Sequence, residues 1–392
     1  LNLVLPAFTL INATGLMIGI GGATKYAIFK ARGASKNGEQ IFFHACLLAG
    51  IASALFVSLG LFAASPISHL LGSNAETHDM MVTYLRPLFC FAPLFLYNQL
   101  LTAFVRNDGA PNRAMAATMI GTFCNIVLDY LFIFPLHMGM LGAVLATACA
   151  PLVGIGMQLF YLRTPSCQLR FRIHHIQISF FKPVFLLGAS EWITEMASGI
   201  VMLCFNLVIL KETGNTGVAA YGILANIAMV ASCLFTGIAQ GVQPLLSHHY
   251  GKGEQKPLRQ LLRMTLLTAL LFAILLYGIL YFFNAPIVSL FNTDGNPTLQ
   301  DMAERGIRIY FLAFFFVGGN VTASTFFSAI ERPAFSLCIS LLRSGIVLLP
   351  LVFCFAAIWH LHGIWASYPV TESIICLFAY TIIIYNIRRK IS

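Results

Sequence analysis

Charge is what this sequence has least of, and that shortage sets its class. Charged residues make up 9% of the 392, while 58% are hydrophobic and the mean hydropathy is +0.83. A soluble domain carries roughly a quarter charged residues. A chain this poor in charge cannot cover a water-facing surface, so lipid must surround most of it. Paired cysteines are also missing. The ten cysteines (Cys46, Cys90, Cys124, Cys149, Cys167, Cys204, Cys233, Cys338, Cys354 and Cys376) are scattered through apolar runs without a C-x-x-C pair. They read as small buried hydrophobes rather than a disulfide or metal framework. There is no Ser-His-Asp constellation, no phosphate-binding loop and no soluble stretch to hold one, which argues against an enzyme and against ATP coupling. A cleavable signal peptide pattern is lacking. The chain opens at Leu1, already inside an apolar stretch, and is read as missing an upstream segment.

What is present is a series of long apolar runs. A spanning helix needs about 20 mostly apolar residues. Eleven such runs lie near 1–29, 41–64, 80–104, 114–134, 141–162, 184–210, 218–247, 262–283, 307–330, 334–357 and 363–387. A spanning barrel would show alternation instead. The net charge of +9 does not point to nucleic acid, because the basic residues sit in short loops with no aromatic interleaving. All the lysines and arginines except Arg86, Lys211, Arg305, Arg308 and Arg343 fall on one set of alternate loops and ends, from Lys25 to Lys390. The positive-inside rule makes that set cytoplasmic, placing Leu1 outside and Ser392 inside.

The two halves echo each other. Gly33 pairs with Gly251, Pro66 with Pro286, Arg86 with Arg308, Pro111 with Pro333 and Gly142 with Gly363, at an offset that stays between 218 and 222. The expected fold is an all-α integral membrane protein of two pseudo-symmetric bundles. The first lobe covers 1–163 with five helices, a cytoplasmic linker covers 164–182, and the second lobe covers 183–392 with six. The element missing from the first copy would precede Leu1. Repeated halves of this kind are common in secondary transporters.

Four acids lie well inside the spans: Asp129, Glu191, Glu195 and Glu372. A carboxylate in lipid is costly, so such residues normally face a cavity and often serve ions; a neutral or structurally paired carboxyl is the plainer alternative. Glu191 and Glu195 are four apart and share a helix face. Two adjacent carboxylates cannot both ionise cheaply there, so one is expected to keep its proton. Asn125 and Asp129 share a face in the same way, and Thr147 on the next helix adds a third oxygen; oxygen ligands suit a hard cation such as Na⁺. Spacing alone leaves open that these residues only bond between helices. Asn206, Asn226, Gln240 and Gln243 are candidate substrate-cavity residues. The pairs His174-His175, His248-His249 and His360-x-His362 sit at membrane edges and read as edge residues rather than metal ligands. Gly19, Gly21 and Gly22 read as a packing stripe. With 34 Phe and 13 Met, a subset lining a cavity would form an adaptable apolar surface.

The segments Gly237-Ile-Ala-Gln-Gly-Val-Gln-Pro-Leu-Leu-Ser-His-His-Tyr-Gly251, Ala220-Tyr-Gly-Ile-Leu-Ala-Asn226, Asn125-Ile-Val-Leu-Asp129 and Pro369-Val-Thr-Glu372 resemble the multidrug and toxic compound extrusion (MATE) family, along essentially the whole chain. The likeness is to its bacterial multidrug and DNA-damage-inducible branch. It implies twelve helices in two lobes that open alternately to each side, exchanging Na⁺ or H⁺ for amphipathic, often cationic compounds. It implies a first-lobe cation site to which Asn125, Asp129 and Thr147 correspond; the fourth ligand, an Asp on the family's first helix, has no counterpart here. Glu195 corresponds to a coupling Glu on the family's seventh helix, and Glu372 to a recurrent acid on its last. The expected protein is a monomeric, cofactor-free antiporter of the bacterial inner membrane, its C-terminus cytoplasmic, with Na⁺ or H⁺ as coupling ion. Two other readings stay open: a lipid-linked glycan flippase of the same superfamily, and a truncated, non-transporting membrane paralogue. The flippase reading expects basic residues in the cavity, and only Arg343 lies well inside a span.

Overall fold

The computed structural model describes residues 4–71, 78–293 and 295–389. Leu1, Lys390 and Ser392 lie outside the described residues, as do the side chains of Arg388 and Arg389. Apart from short turns and the segment 163–177, the described residues are helical, with no strand among them.

Helix α1 (Leu5–Ala31) is followed by α2 (Ser35–Phe62), the short α3 (Ala64–Leu70), α4 (His78–Cys90), α5 (Ala92–Asn107), α6 (Pro111–Ile133) and α7 (Gly139–Leu162). Then come α8 (Ile178–Lys252), α9 (Gln255–Phe282), the short α10 (Asn284–Phe291), α11 (Pro297–Tyr310), α12 (Phe314–Ala329), α13 (Pro333–Leu341) and α14 (Leu348–Arg389). Prolines mark several starts, where a missing N–H costs nothing: they lie in the first turn of α1, α5, α6, α11 and α13. Asn296 caps α11, accepting from the Thr298 and Leu299 amides. Gly253, at φ 76, closes α8 in the left-handed conformation that glycine takes without strain.

Among the described residues, eight helical stretches are long and apolar enough to cross a membrane, and α4 with α5, bent by 45°, adds a ninth. Two of the eight are too long for one crossing. Helix α8 has 75 residues and leaves helical geometry at Gly214; the stretch Pro333–Tyr385 has 53 and does so at His360. Divided there, the count becomes the eleven read from sequence. The chain is thus a multi-pass membrane protein. Apolar side chains such as Phe123, Ile126, Leu271 and Ile274 stand exposed on these spans, as lipid-facing residues should.

The repeat is visible element by element. The long α2 and short α3 correspond to α9 and α10. The broken span α4–α5 corresponds to α11 and α12, interrupted by a 3₁₀ turn at Phe311–Ala313. Sequence alone read 80–104 as one straight run. Pro87 lacks the N–H that would bond the preceding turn, and the helix breaks at Phe91.

Contacts divide the chain into two compact units. The first comprises Leu1–Met196 with Ser247–Gly253, the second Ala197–Leu246 with Glu254–Ser392. Residues 183–196, assigned from sequence to the second lobe, therefore pack with the first. Leu85, Leu96, Leu100 and Phe104 centre the first core; Phe205, Phe311, Phe314 and Trp365 centre the second. The reason residues 183–196 join the first unit is a close helix crossing. A Cβ on Gly21 would strike the Val184 carbonyl, and one on Gly188 the Met17 carbonyl. Gly21→Val is expected to destabilise the protein by about 1–3 kcal/mol, because backbone on both sides cannot repack. Melting in detergent checks this; an unchanged midpoint would mean the helices part freely here.

Candidate functional site

The first unit holds a cavity of about 190 Å³ between α1, α5, α6 and α7. Its polar lining includes Asn12, Asn98, Gln99, Thr118, Asn125 and Thr147. Glycines let the helices around it approach closely: a Cβ on Gly121 would strike the Ala150 carbonyl, and one on Gly154 the Asn98 amide oxygen. The Gln99 amide donates weakly to Asn12 Oδ1, at 3.4 Å. The Thr147 hydroxyl donates to the Ala143 carbonyl at 2.8 Å. Asp129 lies one turn beyond Asn125 and interacts with it. The Tyr84 phenol, from α4, pairs with Thr147 and feels the Asp129 charge. Asn125, Thr147 and Asp129, grouped from spacing, therefore belong to one neighbourhood. It offers a carboxylate, an amide carbonyl, a hydroxyl and a phenol, an oxygen set that suits a hard cation.

The other candidates are dispersed. Glu191 lies in the field of the half-buried Arg106, and Glu195 is half-buried on the same helix as Glu191; both acids belong to the first unit. In the second unit Gln243 is buried, Asn206 and Gln240 are half-buried and Asn226 is exposed. Glu372 carries its own counter-cation. Arg343 Nε donates to both carboxylate oxygens at 3.0 and 3.1 Å, Nη2 lies 3.0 Å from Oε1, and Asn320 Nδ2 donates to Oε2 at 2.6 Å. Among the described residues, no three His, Cys, Asp or Glu side chains come together as metal ligands. His360 Nδ1 instead meets Glu212 at 2.9 Å, and His174 approaches Glu39 at 3.9 Å.

Sequence reasoning passed over Asn12, Asn98, Gln99 and Tyr84. For the first three the only signal was amides inside apolar runs, with Asn98 and Gln99 adjacent; Tyr84 gave none. It also passed over Asp108, which sits in the turn between α5 and α6. Tyr26 and Tyr161 donate to this carboxylate at 2.6 and 2.7 Å, the Gln168 amide at 2.9 Å, and the Lys30 ammonium at 2.8 Å. Burial alone would raise the Asp108 carboxyl. The Lys30 bond, with those from Tyr26, Gln168 and Tyr161, outweighs it and holds the group below the usual carboxylate range. One acid thus ties α1, α5, α7 and the segment after α7 together.

Known proteins place this architecture. The chain is 24% identical to the multidrug export protein MepA of Staphylococcus saprophyticus subsp. saprophyticus, over 100% of its own length and 86% of the relative's. It is 25% identical to the MepA protein of Staphylococcus aureus strain MRSA252, with the same coverage. Among solved structures, an outward-facing multidrug resistance MATE transporter of the MOP superfamily superposes with a TM-score of 0.92 at 20% identity, covering 99% of this chain and 87% of the other. A MOP superfamily transporter from Pyrococcus furiosus, described as having a binding pocket of reverse polarity, gives 0.93 at 19% identity with the same coverage. The MatE family profile matches residues 1–131 and 192–354, most of both halves. The chain therefore belongs to the MatE family, a family of transporters and not of enzymes.

Proposed function

We propose that this protein is a multidrug efflux antiporter that exports amphipathic, often cationic compounds in exchange for Na⁺ or H⁺ across the bacterial inner membrane. The observation that carries the reading is the polar cavity of the first unit, where Asn125 and Thr147 share a wall and Asp129 stands one turn away. Oxygen ligands inside an otherwise apolar bundle are costly unless something uses them. The multidrug export relatives support the substrate class. Alternating access follows if the coupling ion favours one orientation of the protein and the drug favours the other, since an ion that binds both equally shifts nothing. The basic loops favour a cytoplasmic C-terminus.

Proteoliposomes holding the full-length protein and loaded with ethidium provide the test. Efflux is expected to follow an imposed Na⁺ or proton gradient and to stop when that gradient is collapsed. Efflux indifferent to both gradients would remove the antiport mechanism, and no efflux of any of several cationic dyes would remove the substrate class.

A further inference from the structure

The internal repeat gives the first unit's cavity a counterpart in the second, and the two are built in opposite ways. At the offset of 222 that relates Pro111 to Pro333, Asn98 corresponds to Asn320 and Gly121 to Arg343. At the offset of 221 that relates Gly142 to Gly363, Thr147 corresponds to Tyr368 and Pro151 to Glu372. In the first unit Asn98, Gly121, Thr147 and Pro151 line open space. In the second, their equivalents form one packed cluster. Arg343 clasps the Glu372 carboxylate through Nε and Nη2. Asn320 Nδ2 bonds both the Glu372 backbone carbonyl, at 2.9 Å, and its carboxylate. Tyr368 interacts with Arg343 and stacks on Tyr310 at 4.6 Å. The Glu372 side chain is 2% exposed and that of Arg343 13%. Where the first copy has glycine beside the cavity, with no side chain to offer, the second has an arginine that reaches Glu372.

The backbone is adapted to this. Arg343 lies in a π turn, Leu342–Ile346, between α13 and α14. Such bulges swing a side chain out of its regular helical direction and recur at functional sites. Asn125 and Asp129 fall on Val347 and Leu351 at the offset of 222, and on Ile346 and Pro350 at 221, so the second unit keeps no copy of those oxygen ligands. It has instead an acid at a new place and a cation covalently attached beside it.

We propose that Arg343 is a tethered cation, occupying in the second unit the place where the first unit leaves a cavity for a mobile one. The protein then carries one exchangeable cation site, and Glu372 is held permanently neutralised rather than cycled. A planar guanidinium suits this task, since it matches a carboxylate with two parallel bonds and does not lose its proton. The other titratable groups around Glu372 are Tyr310, Tyr368 and Cys376; none supplies a competing positive charge. The inference rests on the cation reading of the first unit, and the test separates the two.

Thermal midpoints are measured in sodium chloride and in choline chloride, and across a pH series. Asp129→Asn alone is expected to lose the cation response, which tests the first-unit site. Adding Arg343→Gln to that background is expected to create a new response of roughly 3 °C or more. A third substitution, Glu372→Gln, should abolish it, and Arg343→Lys in place of Arg343→Gln should not produce it. Folded Asp129→Asn/Arg343→Gln protein as unresponsive as Asp129→Asn would overturn the proposal. Arg343→Gly, which restores the residue of the first copy, provides a second route to the same readout. In the unaltered protein, equilibrium dialysis with radioactive Na⁺ is expected to find no more than one bound ion per chain; two would overturn the proposal.

Discussion

Asp129→Asn is expected to lower gradient-driven ethidium efflux at least tenfold while leaving the melting temperature measured without the driving ion nearly unchanged. Asparagine keeps the shape of aspartate and removes the charge. A hard cation entering this neighbourhood would find carbonyl and hydroxyl oxygens from Asn125, Thr147 and Tyr84, but Asp129 would be its anion there. Neutral oxygens alone do not replace the hydration a cation gives up, so its affinity should fall at least tenfold, which is about 1.4 kcal/mol or more. Asn125→Ala and Thr147→Val remove one neutral ligand each and are expected to cost less, about three- to tenfold. Raising the driving ion's concentration should partly rescue these two and rescue Asp129→Asn least. The measurement is initial efflux rate against ion concentration. If Asp129→Asn exports like the parent at every concentration, coupling resides elsewhere, and Glu195 becomes the first alternative.

Much of the architecture was readable because the membrane makes it so. Lipid forces every backbone polar group into a helix, so eleven apolar runs give eleven crossings once Gly214 and His360 divide the two long helical stretches. The repeat was readable because prolines and glycines mark the same turns in both copies. The site was readable only in part. Asn125 and Asp129 share a helix face by arithmetic, and Thr147 joined them as an oxygen on the next helix, a grouping that the family likeness repeats. The facing wall of Asn12, Asn98 and Gln99 depends on how α1 and α5 are rotated, which no local pattern states. The pairing of Arg343 with Glu372 failed for a related reason. The two residues are 29 positions apart, and the π turn that aims the arginine breaks the helical period. Each was noticed alone, one as a candidate coupling acid and the other as a lone basic residue in a span. The placement of residues 183–196 with the first unit likewise depended on a glycine contact between distant helices.

Asp108→Ala is expected to be the most destabilising single change, lowering the melting midpoint by roughly 5–10 °C. The reason is what remains behind. Two tyrosine hydroxyls, one backbone amide and the partly exposed Lys30 ammonium would all face a carboxylate that is gone. Breaking a buried pair from one side costs about 3–5 kcal/mol, far more than the pair contributes against an apolar replacement. Asp108→Asn should be intermediate. Its remaining oxygen can accept on one side, but its amide nitrogen would confront donors from Tyr161 and Gln168 on the other. Tyr161→Phe removes one donor and should cost only about 1 kcal/mol. The pH dependence identifies the charge. The folded carboxyl lies below its unfolded value, so the stability that Asp108 contributes is fully present above the unfolded value, about 3.9, and fades as pH falls through the folded one. The gap in melting temperature between parent and Asp108→Ala should therefore be constant at neutral pH and narrow in acid. A gap that persisted unchanged well below pH 3, with both proteins still folding, would mean that Asp108 acts by shape and not by charge. The same node would then hold α1, α5, α7 and the following segment together without any electrostatic contribution.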